Sequence, residues 1–317
     1  MNEQKQYTRV IHMPLEFAHR IKDTWGVYGA AWLCKIPDTI ELCKKKWDLC
    51  DVQEPLSNLS QSYIAFAKTK EGKDVVLKLS VPGSVFESEI KTLKAYKTKS
   101  SISLLQYDLK MSAMLLPRIV PGTRLSELSD DKQATHIAAN IMQDLTTPAP
   151  QEIEFETLQY CGEAFYEVKQ LPTQYVAKMI PVQMLQQAED LFKQLLESTT
   201  KHILLHGDLH HDNILLDQQQ GWLAIDPKGV IGDPACQAAR FLRNPLPALL
   251  EQNNPLTTTK TRLEILADRL QQEPDRLLKW AFVDSVLGAC WNIQHTQSVK
   301  NFMSCAKIFY RLLEQKL

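Results

Sequence analysis

The spacing of apolar positions changes character along the chain. Over the first fifty residues it is helical, with an interruption expected at Ile36-Pro37 and a further helix over residues 39–47. Trp25, Trp32 and Trp47 read as packing anchors there. Residues 62–68 then alternate around Tyr63, Ile64 and Phe66, and residues 74–80 form the β-rich run DVVLKLS. Lys70-Glu71-Gly72-Lys73 between them predicts a hairpin turn, with glycine where positive φ is easiest. A helix is expected from about residue 84 to 98, with Ser84 as its cap and Phe86, Ile90 and Leu93 on one face. Two short strands are expected near residues 102–107 and 111–116. Such a mixture predicts a small α+β lobe on an antiparallel sheet.

Pro117 and the Pro121-Gly122 pair punctuate the chain, and helical spacing dominates beyond them. Helices are expected near residues 126–145, 183–197, 259–271, 274–293 and 300–316. The predicted division is an N-terminal lobe over residues 1–118 and a mainly helical C-terminal lobe over residues 119–317.

Composition narrows the class of protein. With 44% hydrophobic residues among 317, a sizeable core is expected rather than disorder. A formal net charge of −1 argues against a nucleic-acid partner, which calls for a basic excess. Neither a signal-peptide core nor an uncharged stretch of membrane-spanning length is visible, so a cytoplasmic protein without a membrane partner is expected. Seven cysteines at irregular spacings, with no CxxC pair, fit reduced thiols better than disulfides or zinc ligands. A monomer or weak homodimer is the expected state.

The most informative stretch runs from residue 203 to 244. Apolar runs at 203–205 and 214–216 flank the polar loop HGDLHHDN, and a third run at 222–225 leads into Asp226. A loop followed by a hairpin would bring Asp208, Asn213 and Asp226 to one end. Phosphoryl transfer from ATP needs a carboxylate to orient the attacking hydroxyl and oxygen ligands to hold magnesium on the phosphates. An Asp, an Asn five residues later, and an Asp ending the next strand match the kinase catalytic set. Asp208 is therefore the candidate base, with Asn213 and Asp226 the candidate Mg2+ ligands. The alternatives are an ordinary polar turn, or a zinc site built on His206, His210 and His211, for which no further ligand stands nearby.

Upstream, Lys78 lies inside an apolar strand, where a lysine needs a partner. Glu89 follows eleven residues later on the predicted helix, with Glu87 as competitor, and an edge-strand lysine facing water is the bland alternative. No glycine-rich phosphate loop is present. The stretch EPLSNLS, residues 54–60, takes its place and offers Ser57, Asn58 and Ser60 to phosphate.

HGDLHHDN, WLAIDPKGVIGDPA and the following A-A-R-F-L-R-N-P resemble the aminoglycoside phosphotransferase family, in particular its streptomycin 6-kinase and hydroxyurea-resistance kinase branch. The resemblance extends to W-G-V-Y-G-A-A-W-L near the N-terminus, to L-L-P-R-I-V-P-G at the lobe boundary, and to the stretch 280–291. It implies a bilobal protein-kinase-like fold with ATP in the cleft, Arg118 and Ile119 presenting backbone to the adenine, and Asp233 organising the loop after Asp226. It also implies a small-molecule hydroxyl acceptor, most specifically a streptomycin-like aminoglycoside. Gly207 stands where protein kinases carry an arginine, which points away from protein substrates. Cys236, Gln237 and Gln294 depart from the branch, where an aromatic residue and acids are usual. Loss of acids weakens the case for a cationic acceptor, and Asp284 is the residue that could restore a charge. A metabolic kinase for a sugar or amino alcohol and a nucleotide-binding pseudokinase are the remaining readings.

Overall fold

Two separate hydrophobic clusters organise the chain, one in each of two compact units. The computed structural model describes residues 13–56 and 59–315, so Ser57 and Asn58 lie outside the described residues. One unit comprises the chain up to Ile90 together with Ser103–Arg118, and the other comprises Lys91–Ile102 and everything from Ile119 onward.

The first unit opens with α1 (Leu15–Lys46), which buries Phe17, Ile21, Trp32, Ile36, Ile40 and Cys43. Its break falls at Gly26 (φ 54°, ψ −133°), and not at Pro37, which the helix carries inside it. Positive φ costs glycine little because it has no Cβ. The rest is a five-stranded antiparallel sheet of β1 (Leu49–Cys50), β2 (Ser62–Thr69), β3 (Asp74–Ser80), β4 (Gln106–Asp108) and β5 (Ala113–Pro117), ordered β1-β2-β3-β5-β4. The turn at Gly72, with φ 81°, joins β2 to β3 as its composition predicts. Alternation decides the faces: Val75, Leu77 and Leu79 of β3 join the core with Tyr63, Ala65 and Ala67 of β2. Lys78 therefore lies on the opposite face. After the sheet's third strand comes α2 (Ser84–Ala95), which starts at Ser84 itself, so that residue is inside the helix and not its cap.

The second unit is mainly helical, with two small sheets. In chain order its elements are β6 (Pro121–Arg124), α3 (Asp131–Asp144), β7 (Thr147–Pro148), β8 (Glu156–Thr157), α4 (Leu158–Cys161), α5 (Glu163–Lys169), α6 (Thr173–Met179), α7 (Val182–Glu197), β9 (Ile203–Leu205), β10 (Ile214–Asp217), β11 (Gly221–Ala224), β12 (Val230–Gly232), α8 (Ala239–Leu242), α9 (Ala248–Glu251), α10 (Pro255–Leu270), α11 (Pro274–Trp291) and α12 (Thr296–Glu314). One sheet has the order β11-β10-β6 and the other β7-β9-β12-β8. Strand β9 and the β10–β11 hairpin fall where the apolar runs place them, while β6, β7, β8 and β12 leave no trace in the periodicity. Several of these strands have two to four residues, too short for an alternating pattern to register. Helix α11 is buried continuously from Trp280 to Cys290, the signature of a helix enclosed on all sides. All seven cysteines are free thiols. Among the described residues, no helix is long and apolar enough to cross a membrane.

Candidate active site

Within the first unit, Lys78 sits on β3, a central strand between β2 and β5, and is only 3% exposed. Its Nζ meets Glu89 Oε1 at 2.6 Å. Glu89 is likewise buried, whereas the competing Glu87 is exposed. The pairing follows from strand-then-helix geometry, because a buried ammonium costs several kcal/mol unless a carboxylate compensates it. Arg118, at the end of this unit, donates its backbone N–H to the Asp74 carbonyl and lays its guanidinium 4.0 Å over the Phe66 ring.

In the second unit, HGDLHHDN bridges β9 and β10 and is tied down from several sides. Asn213 donates its side-chain Nδ2 to the Asp208 carbonyl at 2.9 Å, closing the loop on itself. Ile225 N–H donates to the Asn213 carbonyl at 3.0 Å as β11 pairs with β10, which carries Asp226 to the end of the loop. Asp226 has φ 59°, a left-handed backbone that residues other than glycine adopt under strain and mostly at functional sites. Asp208, Asn213 and Asp226 are thus gathered by the loop and hairpin together.

The histidines serve as scaffolding. His206 is buried; its N–H donates to Gln237 Oε1 at 3.0 Å, its Nδ1 accepts from the Asp208 N–H at 3.3 Å, and its carbonyl accepts from the Lys228 N–H at 2.7 Å. Burial pushes the His206 imidazole down to about 4, against a smaller upward pull from Asp208 and Asp226. It is therefore neutral at pH 7. His211 stacks on Phe241 of α8 with ring centroids 4.0 Å apart. No group of three or more His, Cys, Asp or Glu side chains among the described residues is arranged to hold a metal, so the three histidines do not form a zinc site.

Gly207 has a backbone reason to be glycine. Its φ is 78°, and a Cβ there would stand 3.1 Å from the Lys228 Cβ. Gln237 faces the loop it supports, and Asp233 is occupied by Trp280 Nε1 and Arg276 Nε, both at 2.6 Å, besides capping the turn at Ala235.

An unexpected row of charges runs beside the loop. Arg240 Nη1 lies 2.6 Å from Asp208 Oδ1, Arg240 Nε lies 3.4 Å from Asp284 Oδ1, and Arg243 Nε lies 2.6 Å from Asp284 Oδ2. Asp284 is buried and held by two arginines, neither exposed nor a helix cap. Burial pushes the Asp208 carboxyl up, but Arg240, His210 and Lys228 outweigh it and hold it well below the ordinary carboxylate range. A largely apolar cavity adjoins this row, lined by Leu158, Cys161, Leu287 and Trp291 together with Arg240 and Asp284. Cys236 also lines it, while Gln294 is exposed.

The profile of the aminoglycoside/hydroxyurea antibiotic resistance kinase family matches residues 46–296, which is most of the chain. The chain belongs to this family. It is accordingly a phosphotransferase with a hydroxyl acceptor, on a kinase-like fold. A streptomycin 6-kinase of Streptomyces glaucescens is 24% identical over 291 residues, covering 90% of this chain and 92% of the relative. The crystal structure of aminoglycoside phosphotransferase APH(4)-Ia superposes with a TM-score of 0.63 at 14% identity, covering 88% of this chain and 99% of the other. Amicoumacin kinase hAmiN, solved with AMP-PNP, Ca2+ and its ligand, gives a TM-score of 0.59 at 14% identity over 88% of this chain and 94% of that one. Within the family frame, Arg240 and Arg243 are the site residues that sequence reasoning passed over. Both stand in the A-A-R-F-L-R-N-P stretch, yet nothing in that string names their carboxylate partners.

Proposed function

We propose that this family member transfers the γ-phosphoryl group of ATP to a hydroxyl of a small molecule, with a streptomycin-like aminoglycoside as the acceptor. The observation that carries the reading is the closed loop, in which the Asn213 side chain holds the Asp208 carbonyl and the β10–β11 pairing delivers Asp226 beside them. Asp208 orients the acceptor hydroxyl and receives its proton late, when charge has already shifted toward the transferring group. Its depressed pKa keeps the carboxylate ionised and able to accept a hydrogen bond from that hydroxyl.

Asn213 and Asp226 would hold magnesium. The Asn213 amide commits Nδ2 to the loop and so offers Oδ1, an oxygen donor of the type that this hard cation takes. Magnesium, when bound, neutralises phosphate charge. Lys78, steadied by Glu89, is assigned to the ATP phosphates together with Ser57, and Arg118 and Ile119 to the adenine through backbone groups. Because the Arg118 N–H already donates to Asp74, its carbonyl is the group assigned to that contact. Free thiols at all seven cysteines support a cytoplasmic setting.

One observation favours a second reading, a neutral metabolic alcohol as acceptor: Asp284, the carboxylate best placed to receive a cation, is already engaged by two arginines. The deciding experiment follows ATP consumption by the purified protein with magnesium, against streptomycin, other aminoglycosides and a panel of metabolite alcohols. Streptomycin-dependent turnover that falls about 10²–10⁴-fold in Asp208→Asn is expected, the usual range for a lost acid–base group. Turnover with an alcohol alone would replace the acceptor, and no turnover beside tight nucleotide binding would favour a pseudokinase.

A further inference from the structure

Arg240 pairs with Asp208, lines the adjoining cavity and has no assigned part in phosphoryl transfer. It belongs to an alternating row, Asp208–Arg240–Asp284–Arg243, whose two inner contacts to Asp284 are 3.4 Å and 2.6 Å. The members differ in access. Asp284 and Arg243 are buried, at 7% and 8% exposure, whereas the Arg240 and Asp208 side chains are each about a quarter exposed. Arg240 and Asp284 both line the cavity next to Gly207, whose other walls are largely apolar.

The charges in the row cancel. Without Arg240, Asp284 in the cavity wall and Asp208 beside it would be two carboxylates around one vacated position, with Arg243 bonded only to Asp284. That is an environment suited to a guanidinium or ammonium group, since charge-assisted bonds to carboxylate are the strong ones. Arg240 is also accessible from the outside: its guanidinium carbon already lies 5.7 Å from the ring centroid of Trp291, a residue 45% exposed, so it can keep this cation–π contact if its carboxylate partners change.

We infer that Arg240 is a specificity-determining residue: its guanidinium fills the cation position of the acceptor pocket between Asp208 and Asp284, so a cationic acceptor binds only by exchanging with it. A neutral alcohol enters without that exchange. The exchange breaks one guanidinium–carboxylate pair to make another, so the protein's own arginine cancels most of the affinity a cation would otherwise gain. This inference rests on the reading that Asp208 and the adjoining cavity form the acceptor site.

The test measures binding by calorimetry, in the presence of Mg-AMP-PNP, of streptomycin, which carries two guanidinium groups, and of myo-inositol, an uncharged cyclitol. Wild type is compared with Arg240→Ala, Arg240→Gln and Arg240→Lys, and KM and kcat are recorded wherever turnover occurs. Streptomycin is expected to bind at least tenfold more tightly to Arg240→Ala and Arg240→Gln, with myo-inositol changed less than twofold. Arg240→Lys, which keeps a cation in place, is expected to stay near wild type. Arg240→Gln retains hydrogen-bond donors toward Asp208 and decides the matter should the alanine variant not fold. Unchanged or weaker streptomycin binding in the neutral variants, or no streptomycin binding to any of the four proteins, overturns the inference. So does a fall in kcat shared by both acceptors with KM constant, which would make Arg240 a positioning residue for Asp208. Lack of turnover with streptomycin by itself would count against the proposed acceptor, while the affinity ratios would still decide the role of Arg240.

Discussion

The two units handle buried charge differently. In the first, one lysine and one glutamate eleven residues apart neutralise each other between a strand and the following helix, at 3% and 5% exposure. In the second, four charged groups from a loop, from α8 with its C-terminal residue, and from α11 form a row that emerges into a cavity. A buried pair of this kind has little room to rearrange, and losing either partner leaves the other charge where water reaches it poorly. An alternating row has neighbours to share with and one end open to solvent, so it can rearrange when a charged ligand arrives. The contrast separates a device that holds a side chain in place from one that can discriminate among ligands.

Several substitutions would sharpen or break that contrast. The largest effect is expected from Asp226→Ala, which should weaken magnesium-dependent ATP binding by at least about 100-fold, as loss of a direct metal ligand does. Titration of nucleotide with and without magnesium checks it, and a Mg-ATP affinity unchanged from wild type in this variant removes Asp226 from the metal site. Glu89→Ala should cost about 3–5 kcal/mol in urea unfolding, the usual penalty for removing one member of a buried ion pair. A loss below about 1 kcal/mol would show that Lys78 finds another partner and that the pair is not sealed. Arg240→Ala should change stability by no more than about 1 kcal/mol, because the arginine is partly exposed and its carboxylates keep Arg243 and water. A destabilisation as large as that of Glu89→Ala would erase the difference between the two regions.

A modest effect concerns pH. The His206 imidazole is depressed from 6.5 to about 4 by burial, so the unfolded chain binds the extra proton first as pH falls. Stability is therefore complete above about pH 6.5 and is lost progressively toward pH 4. Between pH 7 and 5.5 this single group should remove about 1.2 kcal/mol. His210 and His211, both also depressed first of all by burial, act in the same direction. The depressed Asp208 adds stability that is lost only at more acidic pH, so it does not enter this window. Urea midpoints measured across the range should slope accordingly, and His206→Gln should flatten the slope. An unchanged slope in that variant would show that His206 is protonated in the folded protein.

Local features were legible where a short stretch of chain carries its own reason. The strand–turn–strand around Gly72, the polar loop at 206–213 and the hairpin after it all show in hydrophobic spacing. The Lys78–Glu89 separation was readable because a strand and its following helix bring such positions together over a short distance. Reading failed where the reason lies elsewhere. Pro37 looked like a breaker, yet α1 tolerates it and breaks at Gly26. Gly207 was read for the arginine it lacks, whereas the structure adds a positive φ and the close approach of Lys228. Gln237 stands where the family branch has an acid and does line the cavity, but only the structure shows that its carbonyl oxygen receives the His206 N–H.

The sequence by itself determined the family, the polar loop and hairpin that carry Asp208, Asn213 and Asp226, and the presence of a sheet-bearing and a helical part. Each of these is written in contiguous residues whose spacing matches the period of a strand, a helix or a turn. Only the tertiary structure decided that Arg240 reaches Asp208, 32 residues away in the chain, and that Asp284 is shared by two arginines. Long side chains choose partners by the packing of helices that meet late in the fold, and no periodic pattern records which charges that packing will bring together.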